Sequence, residues 1–327
     1  MRILVTGGAG YIGGFTARRL AALGHQVVVY DNLSAGHRQG VVGAELVAAD
    51  LADTARLDHV FVTNRIEAVI HFAASCYVGE SVTHPAKYYL NNLLNGANLL
   101  DAVRRHGVQR FVFSSTCATY GDPVKLPLAE DHPQRPVNPY GNTKLAFEYM
   151  LRDYAGAYGL GFAALRYFNA AGAAADGTQG EHHDPETHLI PLVLQVALGQ
   201  RPHVSVFGTD YPTPDGTCVR DYVHVEDLAE AHVLALDKIT PGCKLAYNVG
   251  TGTGNSVREV IRTCEQVTGK PIAVQEAPRR PGDPPVLVAA GDKIRTELGW
   301  APKYPDLKAI VETAWRWHKG HPKGYDK

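Results

Sequence analysis

Tyr140 and Lys144 stand in the pattern Tyr-x-x-x-Lys, within YGNTK at 140–144. On a helix this spacing puts both side chains on one face, a turn apart. A phenol titrates near roughly 10 and becomes a useful base near neutrality only when that value is lowered. A neighbouring ammonium, and any further cation beside the ring, would stabilise the phenolate. A second chemical element is Ser114-Ser115-Thr116, at the end of the apolar run RFVF. A hydroxyl there can hydrogen-bond a substrate oxygen and relay its proton to Tyr140. A third is the glycine pattern Gly8, Gly10, Gly13 with Gly7 in front, inside RILVTGGAGYIGG at 2–14. Such glycines make a tight turn, let backbone approach a pyrophosphate and let a helix pack closely on a strand, while the helix N-terminus offers free N–H groups to the phosphates. Asp31 closes the next apolar run, QVVVY at 26–30. An acidic residue there accepts from ribose hydroxyls and repels a 2′-phosphate, so the cofactor is NAD rather than NADP.

These groups need a scaffold of alternating strands and helices, and the hydrophobic pattern supplies one. Residues 3–5 form a buried strand, 11–23 a helix closed by Gly24, and 26–30 a second strand. The pattern continues with strands at 44–48, 68–72, 110–115 and 162–167 and helices at 54–64, 85–106 (stopped by Gly107) and 138–158. Strand–helix alternation of this kind predicts an α/β fold with a doubly wound parallel sheet, whose strand C-terminal ends line the ligand crevice. After Asn169 the composition shifts. Residues 171–184 read as a loop and a candidate domain boundary, followed by a helix at 189–198, strands at 204–207 and 246–249, a helix at 256–268, a Pro/Arg-rich loop at 278–285 and a terminal helix at 307–319. This predicts two domains, 1–170 binding NAD and 171–327 binding substrate, with residues 221–236 crossing back onto the first.

Composition narrows the partners. The chain has 327 residues, 45% hydrophobic and 20% charged, with a net charge of −1. That balance points to a globular protein without a nucleic-acid or membrane partner. No apolar run approaches membrane-spanning length, and the first strand begins at once, leaving no room for a signal peptide. The five cysteines show no Cys-x-x-Cys, so free thiols and a cytoplasmic location are expected. The 15 histidines lack metal-ligand spacing, so no metal is expected, and His182-His183 reads as solvated surface.

The glycine pattern, Asp31, the hydroxyl strand end and Tyr-x-x-x-Lys resemble the extended short-chain dehydrogenase/reductases with their Rossmann-type sheet, and within them the UDP-glucose (UDP-galactose) 4-epimerase family. The resemblance is carried by GGAGYIG at 7–13, YDNL at 30–33, VGES at 78–81, SSTCATYG at 114–121, NPYGNTK at 138–144 and RYFNAAGA at 166–173. It continues through FGTDYPTPDGTCVRDYVHVEDLA at 207–229, YNVGTGTGNSV at 247–257 and RRPGDP at 279–284, covering nearly the whole chain. It implies an isomerase that retains NAD and interconverts UDP-galactose and UDP-glucose through a transient 4-keto sugar, with Tyr140 as acid/base, Thr116 as bridge and Lys144 supporting the phenolate. By motif position it implies cofactor contacts from Gly7, Gly10, Tyr11, Ile12, Gly13, Asp31, Asn32, Asp50, Leu51, Phe72, Ala73, Ala74, Asn91, Tyr140, Lys144 and Phe168. Substrate contacts fall to Thr116, Asn169, His188, Leu189, Phe207, Arg220, Arg280, Asp283 and Leu287. A homodimer is implied as well, through helices 85–106 and 138–158.

Several positions depart from members of that family. Thr116 stands where serine is frequent, Cys76 where some members carry lysine, and His188 where others carry asparagine. Leu287, of intermediate size, stands where a tyrosine or a small residue limits the group at sugar C2. This leaves UDP-N-acetylhexosamines and UDP-xylose or UDP-arabinose as alternative substrates. A sugar-nucleotide 4,6-dehydratase needs Asp-Glu after the strand-end threonine, and here Thr116 is followed by Cys117-Ala118. A non-catalytic NAD-binding protein is disfavoured by the intact Thr116, Tyr140 and Lys144. Cys117, with no base implied beside it, reads as a small apolar residue.

Overall fold

Ile3, Leu4 and Val5 leave no surface to solvent in β1 (Arg2–Thr6), because helices cover both faces of the sheet it starts. The computed structural model describes residues 1–280 and 282–325; Pro281, inside the RRPGDP segment, and Asp326 and Lys327 lie outside the described residues. The chain then alternates through α1 (Tyr11–Ala22), β2 (Gln26–Asp31), β3 (Glu45–Ala48), α2 (Thr54–Asn64), β4 (Ala68–His71), α3 (Val78–Thr83), α4 (Pro85–Tyr88) and α5 (Asn95–Arg105). It continues with β5 (Arg110–Thr116), α6 (Pro139–Tyr158), β6 (Gly161–Tyr167), β7 (Asn169–Ala171), α7 (Leu189–Ala197), β8 (Val204–Phe207), β9 (Val219–His224), α8 (Val225–Lys238) and β10 (Lys244–Val249). The last elements are β11 (Gly254–Ser256), α9 (Val257–Thr268), β12 (Val274–Ala277), β13 (Val286–Leu287), α10 (Asp292–Leu298) and α11 (Leu307–Gly320).

The main sheet has the strand order β10-β6-β5-β4-β1-β2-β3, all parallel. The order reverses between β1 and β4, which is where doubly wound sheets open their crevice. One face is closed by α1 and α8 over Ile3, Val5, Val112 and Leu165; the other by α2, α5 and α6 over Leu4, Phe111, Phe113 and Phe162. The register sets strand ends side by side: Thr6 pairs with Tyr30 and His71, and Thr116 with Tyr167. The strand read at 246–249 proves to be β10, the seventh strand of this sheet, paired with β6 from Lys244↔Phe162 to Val249↔Tyr167. A smaller sheet is built around β9, flanked by β11 and β13, with β7 also pairing β9; β8 and β12 form a separate ribbon. Around them α7, α9 and α11 enclose a further core of Ile190, Val193, Val260 and Ile310.

Residues 85–106 are not one regular α-helix. Residues Tyr89–Leu94 form a π-helical stretch between α4 and α5. The wider turn lets Asn91 and Asn92 both reach Ser75. The Asn92 Oδ1 accepts from Ser75 N (2.7 Å) and its Nδ2 donates to Ser75 O (3.0 Å), while the Asn91 Nδ2 donates to Ser75 Oγ (3.1 Å). Inserted turns of this kind are frequent where a helix serves a site.

Three buried histidines make the fold sensitive to acid. His71 bonds Thr6 Oγ1 through Nδ1 (2.7 Å), His224 reaches Thr313 Oγ1 (3.0 Å), and His232 Nδ1 donates to Leu228 O (2.8 Å). Burial holds them neutral, lowering His71 and His224 from 6.5 to about 3 and His232 to about 4. The unfolded chain takes up these protons near 6.5, so the stability is complete above that value and is lost as pH falls from there toward 4 and 3. Together these three take about 2 kcal/mol from the stability between about pH 7.5 and about pH 6, of which the raised His183 and His188 return a part, so urea midpoints should still fall over that range. Equal stability at both values would contradict this.

A candidate active site at the strand ends

The end of β5 and the start of α6 bring the catalytic candidates together. Asn138 caps α6, its Oδ1 accepting from Gly141 N (2.8 Å), and Pro139 occupies the first turn. A Cβ on Gly141 would lie 2.6 Å from Ala118 O, so glycine is what lets the helix approach the turn after Thr116. That approach brings the Tyr140 hydroxyl next to the Thr116 side chain. Thr116 Oγ1 also accepts from Ala118 N (3.2 Å), which fixes its rotamer. Side chains alternate along β5, and the other two hydroxyls are spent elsewhere: Ser114 Oγ on Tyr167 (2.8 Å) and Ser115 Oγ on Glu148 (2.7 Å). Of the three hydroxyls expected at this strand end, Thr116 is the one that meets Tyr140.

Lys144 is buried, donates to Ser114 O (2.8 Å) and sits 5.9 Å from the centre of the Tyr140 ring. Burial lowers its pKa from 10.5 to about 8. Burial also pushes Tyr140 well above 10, with Tyr167 and Cys76 adding to the rise and the Thr116 hydroxyl only partly opposing it. The lowered phenol expected from Tyr-x-x-x-Lys is therefore not produced by the protein groups alone. Desolvation outweighs the ammonium, whose hydrogen bond is aimed at Ser114. A phenolate here needs a further cation close to the ring. Burial raises Cys117 to about 12, so its thiol stays protonated, as a small apolar side chain would.

The glycine turn fits a dinucleotide. Gly7 has φ +73°, and a Cβ on it would lie 2.4 Å from Ala73 N. A Cβ on Gly13 would lie 2.3 Å from Gly7 O. Gly10 caps α1 with no side chain, so the helix N–H groups of Tyr11, Ile12 and Gly13 face the turn uncovered by a cap, as an anion site requires. Asp31 is held by Ala9 N (3.0 Å) and Leu33 N (2.8 Å). Around this turn lie most of the other predicted cofactor residues. Asn32 Nδ2 donates to Asp50 (2.6 Å), which also takes Asn95 Nδ2 (3.3 Å), and Leu51 O accepts from Asn98 (3.1 Å). Phe72 N and Ala73 N both donate to Thr6 O, bringing Phe72-Ala73-Ala74 to the glycines, and Asn91 faces Ser75. Phe168 N donates to Val249 O (3.3 Å) at the far edge. A Cβ on Gly10 would meet nothing but Gly7 O, at 3.3 Å. Gly10→Ala should therefore keep its thermal midpoint within a few degrees yet bind NAD about 10-fold more weakly, because the methyl fills the phosphate's approach. Gly13→Ala should lose both, and thermal scans with NAD titrations distinguish the two.

The substrate candidates gather around the smaller sheet, the β8 ribbon and the loop before β13. Arg220 on β9 is ion-paired with Asp283, and the Arg280 guanidinium lies 4.0 Å from the centre of the Phe207 ring. Leu287 pairs with Arg220 in register and packs with Tyr120, Leu128 and Phe168. Arg220 is close enough to Cys117 to act on its thiol, which ties this wall to the Thr116 turn. Asn169 donates to Asp221 O (3.1 Å), and Leu189 opens α7. His188 is placed differently from the expectation. Its Nδ1 is engaged by Glu186 (2.9 Å) and Glu181 (3.0 Å), so that atom is not offered to a substrate. His183, expected as solvated surface, is largely buried against Glu181 and Glu186, and His182 stacks on His37 at 4.6 Å. Two residues that sequence reasoning passed over also shape the site. Asn92 bonds Thr143 Oγ1 (3.2 Å), and the buried Asp221 carboxylate gathers Thr251 N, Gly252 N and Ala289 N. Asp221 sits inside VRDYV, where a carboxylate in an apolar run was the available signal.

Comparison with known proteins agrees with this geometry. A UDP-glucose 4-epimerase of Halalkalibacterium halodurans is 54% identical over 326 residues, 99% of this chain and 98% of that protein. The UDP-glucose 4-epimerase of Brucella ovis, solved in complex with NAD, superposes with a TM-score of 0.92 at 52% identity, covering 96% of this chain and 97% of that one. The Bifidobacterium longum enzyme of that name, solved with NAD+ and UDP, gives a TM-score of 0.96 at 39% identity, covering 99% and 100%. Residues 3–250, from the glycine turn through β10, match the profile of the NAD dependent epimerase/dehydratase family, and to that family the chain belongs.

Proposed function

We propose that this chain is an NAD-dependent UDP-glucose 4-epimerase, interconverting UDP-galactose and UDP-glucose. The observation that carries the reading is the buried Tyr140 beside Thr116 at the end of β5, with Arg220 on the smaller sheet, Phe207 on the β8 ribbon, and Arg280 and Asp283 in the loop that joins them. A planar guanidinium suits a diphosphate, an aromatic ring suits a base, and Asp283 suits a ribose hydroxyl. Gly7, Gly10, Gly13, Asp31, Asp50 and Phe72–Ala74 would hold NAD. When bound, NAD supplies the acceptor and donor of the sugar C4 hydrogen and a positive charge at its ring. The chain's own work is proton handling. Thr116 Oγ1 bridges the sugar 4-hydroxyl to Tyr140 Oη, which takes the proton and later returns it to the same oxygen, after the 4-keto sugar has turned to present its other face. Lys144 anchors the strand end through Ser114 O and adds positive charge near the phenolate.

Leu287, packed against Phe168 and Leu128, narrows the space open to a substituent at C2. Plain hexoses are the expected substrates, with N-acetylated sugars poorer. The reading is tested by incubating the purified protein with UDP-galactose and separating products by chromatography, with UDP-N-acetylgalactosamine and UDP-arabinose in parallel. UDP-glucose should form fastest, and no conversion even with NAD supplied would overturn the assignment.

We infer a homodimer through the 78–94 segment and α6. Val78, Val82, Leu90, Leu94 and Tyr149 are exposed there although large and apolar. Sedimentation at low micromolar concentration should report twice the 35.4 kDa chain mass. Among the described residues no helix is long and apolar enough to cross a membrane.

A further inference from the structure

Residues 181–188 carry Glu181, His183, Glu186 and His188, and the fold turns four of their ligand-type atoms toward one point. These atoms all lie within 4.8 Å of one another. The closest approaches are 2.9 Å and 3.0 Å from His188 Nδ1 to Glu186 and Glu181, and 3.3 Å and 3.6 Å from His183 Nδ1 to Glu181 and Glu186. Donors about 2.0–2.1 Å from a tetrahedral metal stand about 3.3–3.4 Å apart, so these separations bracket a coordination tetrahedron. The two carboxylates are 4% and 5% exposed and His183 13%, so this is not a solvated acidic cluster.

An ion-pair network of two imidazolium rings and two carboxylates is the competing account. It engages the buried His183 Nδ1 only loosely, since that atom lies 3.3 Å and 3.6 Å from the two carboxylates without a well-aligned hydrogen bond to either. Near both carboxylates yet aligned on neither, it has the placement of a lone pair aimed between them. Arg201, His318 and Lys323 line the cavity that adjoins the cluster. Tyr11 and Tyr77 set their rings edge-on to His183, at 6.4 Å and 6.2 Å, and Glu181 O accepts from Trp317 Nε1 (3.1 Å). A cavity of about 380 Å³ lined by Glu181, His183, Glu186 and His318 lies against the cluster rather than beside Tyr140, and gives an ion a path in.

We propose that Glu181, His183, Glu186 and His188 bind one divalent transition-metal ion of the Zn²⁺ class. Two imidazole nitrogens with two carboxylates suit zinc or cobalt, whereas Ca²⁺ and Mg²⁺ take oxygen ligands. Four protein ligands make a closed site, which is the mark of a structural metal. The ion ties the first residue of α1 and the Tyr77 turn, through their contacts with His183, to the start of α7, where Leu189 follows His188 directly. It neutralises two buried carboxylates without protonating either histidine, and its uptake releases any protons they hold.

The test uses the full chain, stripped with a chelator and titrated with CoCl₂ under anaerobic buffer while visible absorption is read. Uptake should saturate at about one equivalent, with the strong visible bands of tetrahedral Co²⁺ and no near-ultraviolet thiolate band of the kind a cysteine ligand would add. ZnCl₂ should abolish the bands, and MgCl₂ or CaCl₂ should leave them. His183→Gln, checked for folding by circular dichroism, should lose them. No saturable uptake, a weak octahedral spectrum, a thiolate band, or an unchanged spectrum in folded His183→Gln would each overturn the proposal. If that variant fails to fold, the wild-type titration and its Zn²⁺ competition still decide.

Discussion

Tyr140→Phe is expected to lower turnover of UDP-galactose by about 10³-fold or more while leaving NAD bound. The change deletes one oxygen and keeps the ring that fills the space between α6 and the β5 end. The deleted oxygen is the one beside Thr116, and the neighbouring Ser114 and Ser115 hydroxyls are already engaged by Tyr167 and Glu148. Loss of a positioned acid/base group costs about 10²–10⁴-fold, and here the same atom acts in both half-reactions, which places the loss toward the upper end. The glycine turn and Asp31 are untouched, so NAD released on denaturation should match the parent. The fall should appear in kcat rather than KM, since the hydroxyl acts on the reacting oxygen and not on the diphosphate. A fall of less than about 10-fold would move the base to another residue.

Arg166→Met is expected to cost about 3–5 kcal/mol of stability, because it strands a charge in the core. Arg166 is 1% exposed in β6 and Glu148 1% in α6. The guanidinium grips both carboxylate oxygens, Nε to Oε1 at 2.9 Å and Nη2 to Oε2 at 2.6 Å, and spends its other donors on Tyr120 Oη, Glu130 O and Gln134 Oε1. Burial alone would raise Glu148, yet Arg166 and the Ser115 hydroxyl hold it below the usual carboxylate range. Without Arg166 that carboxylate must either stay charged in a dry core or take up a proton. The cost is a large share of the roughly 5–15 kcal/mol that holds a domain together. Adding Glu148→Met should recover part of it, since an apolar pair of similar volume replaces a bridge whose desolvation was expensive. Urea denaturation of the single and double variants checks this; a double variant weaker than Arg166→Met would contradict it. The pair also serves the site. Glu148 lies on α6 beyond Tyr140 and Lys144, and Ser115 lies beside Thr116, so the same bridge sets helix against strand where the proposed catalytic groups meet.

The parts of this fold that could be read from sequence are those whose pattern is local. Apolar runs such as Ile3–Val5, glycine stops such as Gly107, and caps such as Asn138 and Ser256 mark their elements without reference to anything distant. Strands β7, β11 and β13 were not legible, being two or three residues long, and β9 carries the charged Arg220 and Asp221 in its first half, which interrupt the apolar run that marks a buried strand. Membership of β10 in the main sheet depends on its register with β6, a contact across most of a domain's length. The π-helical stretch at Tyr89–Leu94 has an ordinary helical pattern, and its cause, the reach of two asparagines to Ser75, is tertiary. The candidate pair Tyr140 and Lys144 was legible as spacing, but its electrostatics were not: Tyr-x-x-x-Lys says nothing of how deeply Tyr140 is buried. The gathering at 181–188 did leave a trace, acidic and imidazole side chains alternating through EHHDPETH, which composition alone does not separate from a polar loop.

The central claim is that Tyr140 moves the proton on the sugar oxygen and that the hydrogen on C4 never meets solvent. The most direct measurement converts UDP-galactose deuterated at C4 in ordinary water, with no NAD added, and reads the isotope in the UDP-glucose formed. Deuterium retained at C4 is the predicted result, because the site must hold that hydrogen and return it to the same carbon. Deuterium replaced by solvent hydrogen would mean that a protein base takes the C4 hydrogen as a proton, and the roles assigned to Tyr140 and Thr116 would fall.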